Sequence, residues 1–158
     1  MSDTMSKAAR SMLMSKIKSK DTRPERLLRA AMLVEMKETP GWYLEPDAKH
    51  LYGKPDLLLM QTSVEGLEAV AVFVHGCFWH CCPEHFRPPA TRSEAWARKF
   101  AANVARDRRV RRALRAQGYR TMVVWEHDLK TRGAADRVAE KIGRRMKRIC
   151  VDASRRRG

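Results

Sequence analysis

The sequence reads as one α/β domain built on a mixed sheet, and three observations carry that reading. Short apolar runs at 56–60, 69–74 and 119–125 alternate with longer stretches of helical character. The run 69–74 (AVAVFV) is apolar at every position, as a strand covered on both faces must be. The chain has 158 residues, 44% of them hydrophobic, which suits a single core of ordinary size. The order helix, strand hairpin, helix, strand, helix then gives a central mixed sheet flanked by helices.

The elements follow in order. Residues 1–20 are polar and basic, and Met14 and Ile17 are spaced to share a helical face. This segment is either a short helix docked on the body or an arm that reaches a partner. Thr22 and Glu25 have capping-box spacing, with Pro24 in the first turn, so a helix starts there. It runs to about Lys37 and stops at Thr39-Pro40-Gly41. Glu25 has a full structural explanation in capping its own helix.

Trp42 to Leu44 reads as a short strand and Gly53-Lys54-Pro55 as a turn. Asp56 opens the next strand, 62–66 form a loop, and the strand 69–74 follows. Ser93 caps a long helix that Gly118 ends. This helix carries eight Arg and Lys residues, either a solvated face or a phosphate-contacting one. A strand at 119–125, a helix at about 134–149 and a frayed tail at 151–158 complete a single domain over 1–158.

Charge narrows the function. With 33 Lys and Arg against 18 Asp and Glu, the net charge is +15, which points to a polyanionic partner, nucleic acid first and an acidic membrane second. No apolar stretch approaches the ~18 residues of a membrane span, so a cytoplasmic, nucleoid-associated protein with no membrane partner is expected. Thiols or metal ligands, rather than disulfides, are then the reading for the four cysteines.

The chemistry concentrates in VFVHGCFWHCC, 72–82. Nucleases that cut phosphodiesters with Mg²⁺ often present Pro-Asp on one strand, then an acid, a spacer and Lys on the next. Hard cations take oxygen ligands. Pro55-Asp56 fits the first part, but Phe73 and His75 stand at the other two positions. Asp56 is then the only side-chain carboxylate of the pair, and a backbone carbonyl such as that of Val74 has to supply another contact. Cys77, Cys82, His85 and His127 form an N/S set suited to structural Zn²⁺. Cys81 and Glu84 compete for places in it, and loose buried thiols are the plain alternative. His75 and His80 are left for proton transfer. Phe78 and Trp79, joined by Trp96, are aromatic wedges for a base stack or core packing.

Together the segments RSMLMSKIKSKDTRPE, GKPDLLL, VFVHGCFWH, PPATRSEAW, NVARDRR and VVWE resemble the very-short-patch repair (Vsr) DNA mismatch endonucleases. That resemblance implies a restriction-endonuclease-like fold that nicks double-stranded DNA 5′ of the T in a T:G mismatch left by deamination of 5-methylcytosine. It implies catalytic Mg²⁺ and structural Zn²⁺. By matching position, Asp56 and the Val74 carbonyl hold Mg²⁺, and His75 and His80 are the active-site histidines. Asp107 orients a histidine, Glu25 joins the site, and Met14, Phe78, Trp79 and Trp96 wedge into DNA. The sequence departs from the family in CCPEHF, one residue shorter than the usual form, and in His127, where the family usually has Cys. The hairpin between Asp56 and His75 is also longer than usual. A monomer with transient contacts to other repair proteins is expected. The rival readings are a zinc-stapled DNA-binding module without cleavage and a restriction-type or nonspecific nuclease of the same fold.

Overall fold

The computed structural model describes Met12 and residues 20–63, 66–89 and 93–155. Met14, with the rest of the N-terminal arm other than Met12 and Lys20, lies outside the described residues.

Four strands form one sheet in the order β1-β2-β3-β4: Trp42–Pro46, Leu57–Ser63, Gly66–His75 and Arg120–Trp125. The first three pair antiparallel, with Leu44 opposite Leu59 and Leu57 opposite Val72. β4 joins β3 in parallel, setting His75 beside Trp125. The expected strand 69–74 is thus the core of a longer one, and it is interior, with a partner on each edge.

Strand alternation divides the core in two. Leu57, Leu59, Val70, Val72 and Val124 face one side. There they meet helix α1 (Arg23–Glu35) and helix α3 (Arg132–Arg155), through Leu28, Met32, Ile142 and Met146 among others. Leu58, Ala69, Ala71 and Phe73 face the other side, against Val110 and Leu114 of helix α2 (Ser93–Ala116). This is why 69–74 has no polar position: both of its faces are dry. Valines point to the two-helix side, while alanines leave room for the larger side chains of α2.

α1 begins as its sequence requires. The Thr22 hydroxyl accepts the Glu25 N–H at 3.5 Å, and the Glu25 carboxylate accepts the Thr22 N–H at 3.2 Å. α3 continues further than its sequence signals, through Arg155, so Val151–Arg155 of the expected tail are helical. Its amphipathic stripe, Ala135, Ala139, Ile142, Met146 and Ile149, is buried along its length.

One glycine is demanded by packing. Gly53 has φ +82°, and a Cβ there would collide with the Val110 side chain of α2. That close approach presses the loop between β1 and β2 against the helix and forms one wall of the cleft described below. Gly118 also has a positive φ, +89°, but faces open space. Gly118→Ala is therefore expected to cost only backbone strain, about 1–2 kcal/mol. Gly53→Ala adds overpacking of about 1–3 kcal/mol to the same strain. Urea denaturation of the two variants measures the difference.

Candidate active site and metal centre

The sheet's C-terminal end opens into a cleft of about 830 Å³ lined by Glu25, Asp56, His75, His80 and Asp107. Every residue expected to act in catalysis reaches it, from five separate places in the chain. Asp56 precedes β2, and His75 ends β3. His80 comes from the turn after β3, Asp107 from α2 and Glu25 from the first turn of α1.

Asp56 is the anchor. Its Oδ2 accepts the Val74 N–H at 2.6 Å, a short charge-assisted bond, and its own N–H donates to the Val72 carbonyl at 3.0 Å. β2 begins only at Leu57, and Pro55 has no N–H to give. N–H and C=O of one strand residue point to the same edge, so the Val74 carbonyl also faces this side. One carboxylate and one carbonyl thus converge at the strand end, an all-oxygen pair suited to a hard cation. Burial pushes the Asp56 carboxyl up to about 6, with Glu25 and Asp47 adding repulsion against the Val74 N–H that favours the anion.

His75 is buried, and its pKa falls to about 4 because burial and the neighbouring His80 oppose a second positive charge. Its ring stacks on His80 with centroids 4.0 Å apart and meets Trp125 edge-on at 5.5 Å. His80 Nδ1 lies 2.6 Å from Asp107 Oδ2. An ionised carboxylate only accepts, so Nδ1 carries the proton and Nε2 keeps its lone pair for an incoming proton. Glu25 caps its own helix and also lines the cleft.

A second cluster lies behind the turn. Cys77, Cys82, His85 and His127 each offer one ligand atom, all within 4.8 Å of one another. Tetrahedral Zn²⁺ with ordinary bond lengths would put neighbouring ligand atoms about 3.6 Å apart. His127 Nδ1 is 3.2 Å from Cys77 Sγ and 3.6 Å from Cys82 Sγ, and His85 Nδ1 is 4.0 Å from Cys82 Sγ. His127 Nε2 faces Asp128 at 3.5 Å and Glu84 at 3.7 Å, the placement that turns Nδ1 toward a metal. The residues present fit the ion. Of the two competitors, Cys81 lines a cavity with His75, His80 and Asp107 instead. Glu84 stands behind His127. Burial raises the Cys77 thiol to about 11, so a cation must displace its proton to bind.

The wedge candidates form a third group. Phe78 is the hub of an aromatic cluster, with ring centroids 5.1 Å from Trp79, 5.4 Å from Trp96 and 5.1 Å from Phe100. Lys99 Nζ sits over both indoles, 4.8 Å from Trp79 and 5.3 Å from Trp96. Phe78, Trp79 and Trp96 are all half-buried, so packing and an outward aromatic edge coexist. The Trp79 carbonyl accepts from Asn103 Nδ2 at 3.1 Å.

Sequence reasoning passed over several members of the site. Phe86 and Phe100 support the wedge cluster, and the i, i+4 spacing of Trp96 and Phe100 was a usable signal. Lys20, His50 and Lys54 line the cleft. Glu126 accepts the Cys77 N–H at 2.6 Å across 49 residues of sequence, and no local pattern announces it.

A carboxylate at a sheet end, a histidine pair with an orienting acid and a cleft in a chain of net charge +15 define a class: an endonuclease, a hydrolase acting on DNA. Residues 2–86 match the family described as DNA mismatch endonuclease Vsr, and the chain belongs to that family. It is 38% identical over 135 residues to the DNA mismatch endonuclease Vsr of Escherichia coli strain K12, covering 84% of this chain and 78% of that protein. The type II nicking enzyme V.XorIIP of Xanthomonas oryzae pv. oryzae is 35% identical over 139 residues, 86% of this chain and 93% of that one. The type II nicking enzyme V.NaeI of Lentzea aerocolonigenes is 36% identical over 121 residues, with 77% and 69% covered. The alternative of a DNA-binding module without cleavage gives way to this assignment. Among the described residues no helix is long and apolar enough to cross a membrane.

The elevated Asp56 pKa has a consequence for stability. Between 3.8, its unfolded value, and about 6, the folded protein holds a proton the unfolded chain has lost. Stability therefore falls as pH rises through that window, and above it the buried anion is a fixed cost of about 3 kcal/mol at most. Asp56→Asn keeps an acceptor for the Val74 N–H and removes the charge. Without divalent cations it is expected to be more stable than wild type at pH 7, by about 1–3 kcal/mol. The difference should vanish near pH 4, as thermal denaturation at the two pH values will measure.

Proposed function

We propose that this protein is a Mg²⁺-dependent, strand-specific endonuclease on a restriction-endonuclease-like fold. It nicks double-stranded DNA 5′ of the T in a T:G mismatch and so begins very short patch repair of deaminated 5-methylcytosine. The observation that carries the reading is the meeting of Asp56 with the His75, His80 and Asp107 set in one open cleft. The family assignment and the nicking activity named for two relatives support it. It works as a monomer in the cytoplasm, at the nucleoid, with transient contacts to other repair proteins.

The residues divide the labour. His80 Nε2 takes the proton of the attacking water while Asp107 holds the ring and stabilises the imidazolium that forms. His75, neutral through the working pH range, and Glu25 position that water. Mg²⁺, when held by Asp56 and the Val74 carbonyl, supplies charge neutralisation at the scissile phosphate and the leaving oxygen. Phe78, Trp79 and Trp96, with Met14 from the arm, wedge the duplex beside the mismatch, where a weak pair is cheapest to deform. Arginines of α2 hold backbone phosphates. Cys77, Cys82, His85 and His127 hold Zn²⁺, which staples the turn after β3 to the end of β4.

Two experiments test this reading. A duplex with one T:G mismatch should be nicked beside the T with Mg²⁺ and left intact with EDTA. Asp56→Ala should abolish nicking, and His80→Ala should lower the single-turnover rate by about 10²–10⁴-fold. Equal cutting of the matched duplex would reject mismatch specificity. For the second centre, metal analysis should find one Zn²⁺ per chain, and its removal by a strong chelator should lower the melting temperature. Protein isolated without zinc, or with an unchanged melting temperature, would reject the staple.

A further inference from the structure

The turn after β3 places Cys77, Phe78, Trp79 and His80 in consecutive positions, each with a different neighbour. Its backbone has to be fixed for His80 to return over His75. Inside the turn, the His80 N–H donates to the Gly76 carbonyl at 3.1 Å and the Cys82 N–H to the Cys77 carbonyl at 2.9 Å. From α2, Asn103 holds the Trp79 carbonyl. On the other flank, Glu126 Oε1 accepts the Cys77 N–H at 2.6 Å. The second oxygen lies 3.7 Å from where a Cβ on Gly76 would stand, so the carboxylate runs along the Gly76–Cys77 backbone.

The position of Glu126 in the ladder is informative. β3 and β4 pair in parallel up to His75 beside Trp125. Glu126 is the next residue of β4's chain, and its side chain, rather than its backbone, reaches the chain leaving β3. The bond therefore carries strand pairing one step past the end of the sheet, across Gly76.

We propose that Glu126 is a positioning residue for the nicking reaction. It locks the start of the turn to the end of β4, so that His80 is delivered onto His75 and Asp107 in one orientation. The inference rests on the reading of His75 and His80 as the proton-handling pair. The aromatic cluster is anchored separately on α2 through Trp96 and Phe100, so loss of Glu126 should slow chemistry more than binding.

The test compares wild type, Glu126→Ala and Glu126→Gln on a T:G duplex. Single-turnover rate, duplex Kd, melting temperature and the imidazole NMR signals of His75 and His80 without DNA are all measured. Glu126→Ala is expected to lower the rate about 10–100-fold, as for a misplacement near 1 Å, with Kd within about twofold. Glu126→Gln, whose amide oxygen still accepts the Cys77 N–H, is expected to recover most of the rate. The His75 and His80 signals should shift in the alanine variant and return in the glutamine variant. Wild-type rate in Glu126→Ala would overturn the proposal. So would parallel losses of rate, Kd and melting temperature that glutamine does not rescue. If wild type fails to nick, the nicking reading falls on its own, and imidazole signals unchanged in Glu126→Ala would separately overturn the positioning of His80 by Glu126.

Discussion

Everything in this molecule is arranged around the enclosure of β3. The strand is paired on both edges and covered on both faces, so neither its register nor its rotation can slip. A one-residue slip would send Val70 and Val72 to the α2 side and bury His75 among aliphatic side chains. Because that alternative is so costly, the point where the strand emerges is fixed, and His75 stands there. Asp56, just ahead of β2, finishes the job by taking the N–H of Val74.

The cleft mixes both signs of charge: Lys20, Lys54, Arg106 and Arg111 stand in its lining beside the acids. Three carboxylates, from Glu25, Asp56 and Asp107, converge in a chain of net charge +15. The excess of Lys and Arg draws in the polyanion, while the carboxylates leave a place for cations beside its backbone. The two imidazoles behave as a unit. Stacked 4.0 Å apart, they leave no room for a charge on both, and burial together with His80 holds His75 low, at about 4.

Much of this could be read from the residues. The alternation of short apolar runs with long helical stretches gave the layer order. The capping box of Thr22 and Glu25 appears atom for atom. The N/S set Cys77, Cys82, His85 and His127 comes together as spacing and residue type had suggested. What stayed hidden depends on contacts distant in sequence. The extent of α3 was missed because its later turns are held by burial of Met146 and Ile149, a tertiary contact that no local signal announces. Phe78 looked like a wedge or a core residue; it sits half-buried in the aromatic cluster, and half-burial is a property of its neighbours. Cys81 and Cys82 are adjacent and chemically identical. A left-handed backbone at Cys81 sends the two side chains to different sites, which composition cannot foretell.

The hairpin between β2 and β3 turns at Ser63 and Gly66, at the opposite end of the strand from His75. At about 3.3 Å per residue, Gly66 stands roughly 30 Å along the strand from His75. The long hairpin is thus a handle mechanically remote from the reaction. A dye or short tag attached at that end of the strand would report on the enzyme without entering the cleft.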